Sequence, residues 1–123
     1  FEEDFETEYN LNEWSEFITL KYNILILANS ISGYNDNDAK YLEDILSKLR
    51  NNSREVLKSD FYLFKNSPEI KGRFKLLDIQ IQKTKNNLSK LNKSDGLEEL
   101  NKIFVFYNYS ANMIESMLVD SIN

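Results

Sequence analysis

Two residue types are missing from this 123-residue sequence, which contains no cysteine and no histidine. Without cysteine, disulfides and thiolate metal sites are impossible, and the redox compartment cannot be inferred. Without histidine, the chain lacks the commonest general base and the commonest zinc and haem ligand. A serine or threonine nucleophile would then need a lysine or carboxylate base, and no recognisable spacing provides one. We therefore expect no metal, no cofactor and no enzymatic activity.

Turn-forming residues are also scarce, with three glycines and one proline in the whole chain. An all-β or α/β domain of this size needs more of both for its turns, so the sequence predicts few, long elements. The hydrophobic fraction of 41%, which includes eight Phe, seven Tyr and one Trp, argues against a disordered chain. At this length we expect one core and one domain, residues 1–123.

Long hydrophobic runs are missing too. No apolar run exceeds five residues, the length of Ile24 to Ala28, whereas roughly 20 are needed to cross a bilayer. We therefore expect no transmembrane segment in this piece. The sequence begins with Phe1 and not with Met, so we expect residues upstream of it. These would be a removed signal or lipoprotein segment with a lipid anchor, or Phe1 simply marks the boundary of the piece.

The spacing of apolar residues predicts four helices, at about residues 4–32, 37–64, 68–92 and 95–122. Ser67, Pro68 and Glu69 give the sharpest start signal, because Ser caps, Pro suits the first turn and Glu favours the positive dipole end. Asp95, with Glu98 three residues later, resembles a capping box. Short connections between helices of matched length predict an all-α, antiparallel up-down-up-down four-helix bundle.

Each predicted helix has an apolar stripe that we expect to face the core. In the first and second helices the stripes are Trp14, Phe17, Ile18, Ile24, Leu25, Leu27, Ala28 and Ile31, and Ala39, Leu42, Ile45, Leu46, Leu49, Val56, Leu57 and Phe61. In the third and fourth they are Ile70, Phe74, Leu77, Ile81, Thr84, Leu88 and Leu91, and Leu97, Leu100, Phe104, Tyr107, Ala111, Ile114 and Leu118. Gly33 is placed to end the first helix.

Asn52 and Ser53 interrupt the stripe of the second helix. Such a pair either fixes the register of the helices or lies at the edge of the stripe, and we favour the edge. Together with Thr84 of the third helix, the pair forms a candidate polar notch in the core. The notch suggests one function for the chain, in which a small molecule binds between the helices near these residues.

Charge is unevenly distributed along the chain, whose net charge is −5. Seven acidic residues and no basic ones precede Lys21, while Lys58 to Lys93 contains nine basic and three acidic residues. The net charge argues against nucleic acid as a partner. The basic residues of the third helix could meet phosphate or anionic lipid, but we favour a solvated face. They are Lys71, Arg73, Lys75, Lys83, Lys85 and Lys90.

The aromatic residues are more numerous than one stripe per helix requires. An exposed aromatic patch would mark a protein interface, whereas the alternative is a thick core under the loops, and both remain open. The candidate interface residues are Trp14, Phe64, Phe106 and Tyr109.

The stretch from Asn52 to Leu91 includes Ser67-Pro68-Glu69-Ile70-Lys71-Gly72-Arg73, and Tyr107-Asn108 follows in the fourth helix. With a composition rich in Asn, Lys, Ile and Tyr, these segments resemble small uncharacterised helical lipoproteins or periplasmic proteins of Bacteroidota, of flavobacterial type. Asp120-Ser121-Ile122 also resembles the three-residue O-glycosylation acceptor of that phylum. The resemblance implies a bundle in the cell envelope, periplasmic or tethered to the outer membrane by lipid, and implies no catalytic residues.

From these features we expect a non-enzymatic helical interaction module, an accessory subunit of a cell-envelope protein assembly. Its partner would be another protein, docked on aromatic and acidic surfaces. The alternative is a ligand-sensing helical bundle that binds a small molecule between its helices.

Overall fold

The computed structural model describes residues 14–32, 39–60 and 67–122, with the backbone alone for residue 39 and residues 117–122. The described residues form four α-helices: α1 (Ser15–Ile31), α2 (Ala39–Leu57), α3 (Pro68–Asn87) and α4 (Lys93–Ile122). A 3₁₀ turn, Leu88–Lys90, follows α3. Consecutive helices pack as antiparallel neighbours, α1 on α2, α2 on α3 and α3 on α4. The chain is an all-α, up-down-up-down four-helix bundle, as its apolar spacing predicts.

The start of α3 is confirmed, but its predicted end at residue 92 is wrong. The Ser67 hydroxyl oxygen accepts the Ile70 N–H at 3.4 Å, and Pro68 occupies the first helical position. Beyond Asn87 the backbone tightens into the 3₁₀ turn, in which the Leu91 N–H donates to the Leu88 carbonyl at 3.3 Å. Such tightening satisfies carbonyls that have no partner within the helix.

The predicted end of the second helix at residue 64 is also wrong, because α2 ends at Leu57. There the Lys58 N–H is shared between the carbonyls of Arg54 (3.1 Å) and Glu55 (3.2 Å), which tightens the last turn. Ser59 is already outside the helix. Residues 4–13, 37–38 and 61–64 of the predicted helices, and the predicted role of Gly33, lie outside the described residues.

The fourth helix begins earlier than predicted, at Lys93. Asn92 caps it, since its Oδ1 accepts the Asp95 N–H at 2.8 Å and its Nδ2 donates to the Asp95 carboxylate at 3.2 Å. The prediction that Asp95 and Glu98 form the capping box is therefore wrong. Asp95 instead lies in the first turn, where its charge favours the helix dipole.

The core is built from all four helices, and it matches the predicted stripes unequally. Every member of the α3 stripe is buried except Leu91, which is half-buried. On α1, however, Leu20 is fully buried and Leu25 is 54% exposed, and on α4 Ile103 is fully buried and Phe104 only half-buried. Because α1 and α4 make few backbone contacts with each other, their buried faces turn toward α2 and α3.

Candidate functional site

Four aromatic rings cluster where α1, α3 and α4 meet. Trp14 stacks on Phe17 with ring centroids 5.3 Å apart, and both rings meet Phe74 edge-on at 6.0 Å. Phe17 also stacks on Tyr107 at 6.2 Å, which joins α1 to α4. Trp14 is only 1% exposed. Its predicted place in an interface is therefore wrong, because its ring is packed into the core.

The other candidate interface residues do not form one aromatic patch. Phe106 is half-buried and packs against the core. Tyr109 is 51% exposed, and the Arg73 guanidinium lies over its ring, 5.7 Å from the centroid. Phe64 lies outside the described residues. Of the four, Tyr109 is the one that the structure places on the surface.

The first two residues of the predicted polar notch bind different helices. Asn52 is half-buried, and its Oδ1 accepts a hydrogen bond from Asn23 Nδ2 of α1 at 2.6 Å. The fully buried Ser53 hydroxyl contacts two oxygens, Asp78 Oδ1 of α3 at 2.6 Å and the Arg50 carbonyl at 2.9 Å. The prediction of an edge position therefore holds for Asn52 and is wrong for Ser53.

Thr84, the third notch residue, belongs to yet another helix pair. Its hydroxyl accepts from Gln80 Nε2 at 2.9 Å and lies 3.4 Å from the Glu99 carbonyl of α4, to which it donates. Gln80 also donates to the Glu99 carboxylate at 2.9 Å. Each pair of consecutive helices thus has its own interhelical hydrogen bond, and the three predicted residues do not line one shared notch.

An ion pair within α4 lies beside the α3–α4 contact. Lys102 Nζ lies 3.0 Å from Glu99 Oε1, and this hydrogen bond holds the pKa of Glu99 below its usual value although burial opposes the shift. The Lys102 pKa is raised by the same bond. The apolar spacing did not predict that Gln80 and Glu99 would form hydrogen bonds between α3 and α4. The available signal was that Gln80 follows Leu77 by three residues, which places it beside the buried stripe of α3.

The burial of Tyr107 can be tested through the pH dependence of the free energy of unfolding. Burial, and to a smaller extent the negative charge of Glu115, raises the pKa of Tyr107 to about 12 from 10.0. At a pH between these two pKa values, the Tyr107 hydroxyl has lost its proton in the unfolded chain and retains it in the folded chain. The free energy of unfolding should therefore fall as the pH rises through this range. Urea unfolding at a series of pH values should show a shallower fall for Tyr107→Phe. An identical fall in both proteins would contradict this pKa.

Large apolar side chains on α1 remain exposed. Tyr22 is 67% exposed and Leu25 54%, and with the half-buried Ile18 and the exposed Ala28 they form what we term the α1 surface. Each residue of a helix is rotated by about 100° from the last, so the apolar run 24–28 covers the whole circumference. Part of that run must therefore face outward. A prediction with one core-facing stripe does not account for this.

A groove separates α1 from α2 on the side of Tyr41, which is 57% exposed. This α1–α2 cleft has a volume of about 550 Å³. It is lined by Asn23, Ile26, Tyr41, Asp44, Ile45 and Lys48. It lies beside the Asn23–Asn52 hydrogen bond, and none of the three predicted notch residues lines it.

The described part of the chain contains neither a cluster of metal ligands nor a candidate membrane span. Among residues 14–32, 40–60 and 67–116, whose side chains the structure describes, no three acidic side chains are grouped so that they could hold a metal ion. None of the helices, as far as the structure describes them, combines the length and hydrophobicity that a bilayer crossing requires.

The chain is thus a helical bundle whose candidate sites are surfaces and a shallow cleft. Its sequence and fold have no significant match among family models, curated proteins or solved structures. Function therefore has to be inferred from the groups that the four helices present to their surroundings.

Proposed function

We propose that this chain is a non-enzymatic helical interaction module that docks another protein through the α1 surface. The observation that carries the proposal is the exposure of Tyr22 (67%) and Leu25 (54%) about one turn apart. Contiguous exposed apolar side chains mark interaction sites more often than scattered ones do. Beyond the first turn of α1 the only charged residue is Lys21, so a partner covering this helix would desolvate little charge.

The setting of the partner is also a proposal. Because the sequence resembles envelope proteins, we propose that the partner belongs to a cell-envelope assembly, in which this chain is an accessory subunit. The buried hydroxyls support binding over catalysis. Ser53 and Ser110 are fully buried; the Ser53 hydroxyl donates to Asp78 of α3, and the Ser110 hydroxyl donates to the Phe106 carbonyl of its own helix. Neither hydroxyl is presented to a substrate.

The proposal predicts a stoichiometric partner that is lost when the α1 surface is changed. The native protein and a Tyr22→Glu/Leu25→Glu variant would be extracted from the source cells with mild detergent. Co-purifying proteins would then be quantified by mass spectrometry. We expect one protein in stoichiometric amount with the native chain and about tenfold less with the variant, because docking would bury two unpaired carboxylates.

Tyr41→Glu is the control, since it places a carboxylate at a comparably exposed tyrosine on α2. This control should retain the partner. Recovery of the native chain alone, or equal recovery of the partner with the α1 variant, would refute the proposal.

A second candidate function, ligand sensing, is favoured by the α1–α2 cleft. Its volume of about 550 Å³ falls within the roughly 300–1,000 Å³ of small-molecule sites. Asp44 and Lys48, one turn apart, face the same space as Ile26 and the Tyr41 ring, so an amphipathic zwitterion would fit. An NMR screen of such compounds should shift amides around the cleft, and Tyr41→Ala should abolish the shifts. A Tyr22→Glu/Leu25→Glu variant should leave them unchanged.

A further inference from the structure

The segment formed by α3 and its 3₁₀ turn is positively charged in an otherwise acidic chain. Residues 68–90 contain six basic and two acidic side chains, whereas the whole chain has a net charge of −5. Of the two acids, Asp78 is directed away from the outer side of α3, and Glu69 lies at the N-terminal end of the helix. Glu69 lies in the first turn, at the positive end of the helix dipole. Asp78 is directed toward α2, where its carboxylate accepts a hydrogen bond from the Ser53 hydroxyl at 2.6 Å.

Two lysines and two aliphatic residues lie together on this outer side, and we term them the α3 face: Lys75, Leu76, Ile79 and Lys83. Leu76 is 46% exposed and Ile79 is 62% exposed, and both lysines are exposed. Within the described helices no carboxylate lies at ion-pair distance from either lysine, although Lys83 is near enough to Glu99 of α4 to help lower the pKa of that carboxyl. Ile79 and Lys83 also border a shallow depression of about 420 Å³.

We propose that the α3 face binds an acidic amphipathic segment of a partner protein, with apolar side chains every three or four residues between Asp or Glu. The carboxylates would meet Lys75 and Lys83, and the apolar side chains would cover Leu76 and Ile79. The depression beside Ile79 gives room for one of those side chains. This site is separate from the α1 surface and does not depend on its function.

The charge distribution favours a short acidic segment over a larger polyanion. Charges are screened beyond about 8 Å at physiological salt, so a short segment experiences mainly the local charge of α3. A bilayer or a nucleic-acid duplex would extend past α3 and meet the net negative charge of the remaining chain. The four residues of the α3 face include no aromatic ring that could insert at a bilayer interface or stack on bases, and Phe74 of the same helix is fully buried.

Binding would be measured by fluorescence anisotropy with the full chain and a labelled peptide of about 15 residues. In this probe Leu recurs every three or four residues and the other positions are Glu or Ala. We expect saturable binding that weakens about tenfold or more in Lys75→Glu/Lys83→Glu and at about 0.5 M salt. Leu76→Ser/Ile79→Ser should also weaken it, and a peptide with Lys in place of Glu should not bind.

Lys21→Glu/Lys48→Glu is the matched control, because it changes the net charge equally at exposed lysines of α1 and α2. It should bind the peptide within about twofold of the unmodified chain, since most of the attraction is local. No saturable binding, or an equal loss in both double variants, would overturn the proposal. Vesicles containing phosphatidylserine that bind the chain through Lys75 and Lys83, while the acidic peptide does not, would assign the face to a lipid surface and overturn it as well.

Discussion

Replacing Phe74 with alanine should lower the free energy of unfolding by about 3 to 5 kcal/mol. Phe74 is fully buried, and its ring meets Trp14 and Phe17 edge-on, each at 6.0 Å. Truncation would remove these contacts and leave a cavity between α1 and α3, because a close-packed core relaxes only in part. Such a loss is a large share of the roughly 5 to 15 kcal/mol by which a domain is stable.

The measurement is urea unfolding followed by circular dichroism and by fluorescence. Trp14 is the single tryptophan of the chain, so its emission reports on this same cluster. Phe74→Leu retains most of the buried volume and should cost much less. If Phe74→Ala cost no more than Ile79→Ala, at a position of the same helix that is 62% exposed, the described packing would be wrong.

Leu20→Ala and Leu25→Ala should differ sharply although both shorten a leucine of α1. Leu20 is fully buried, and its truncation should cost about 2 to 5 kcal/mol in the free energy of unfolding. Leu25 is 54% exposed, and its truncation should change that free energy by about 0.5 kcal/mol or less. Chemical denaturation of the two variants under identical conditions measures both values.

The pair of variants contains its own control, because helix, residue type and substitution are shared. Comparable losses at the two positions would show that α1 is rotated from the described orientation. A small effect of Leu25→Ala would also show that this side chain of the α1 surface can be shortened without unfolding the bundle.

The third helix shows why much of the fold could be predicted from the sequence. Its apolar residues recur in alternating steps of four and three, its opposite side is rich in lysine, and Ser67 with Pro68 marks its start. Local propensity and amphipathic pattern therefore agree. The end of this helix was harder to predict, because a helix that tightens into a 3₁₀ turn at Leu88 keeps the same apolar spacing.

The first helix shows what the sequence could not decide. Its run 24–28 is apolar on every side, so periodicity does not determine which side is buried. The packing partner decides it: α1 lies mainly against α2, which buries Leu20 and leaves Leu25 and Ala28 at the surface. The same reasoning applies to Phe104 on α4, which is only half-buried because contacts with α1 are few.

The candidate site was predictable in residue type but not in arrangement. Asn52, Ser53 and Thr84 were recognised as polar groups on buried stripes, and the structure places each of them at a hydrogen bond between helices. Their partners come from other helices, which no spacing within one helix reveals. An aromatic residue such as Trp14 is equally consistent with a core or an interface until its neighbours are known.

The sparse contact between α1 and α4 has a consequence for motion. The middle helices α2 and α3 each lie against two neighbours, whereas α1 and α4 each lie mainly against one. Opening fluctuations should therefore start where the stacked rings of Phe17 and Tyr107 join the outer helices, and α2 and α3 should open last. A protein docked across the α1 surface would restrain this opening, so binding would reduce the conformational fluctuations of the whole bundle.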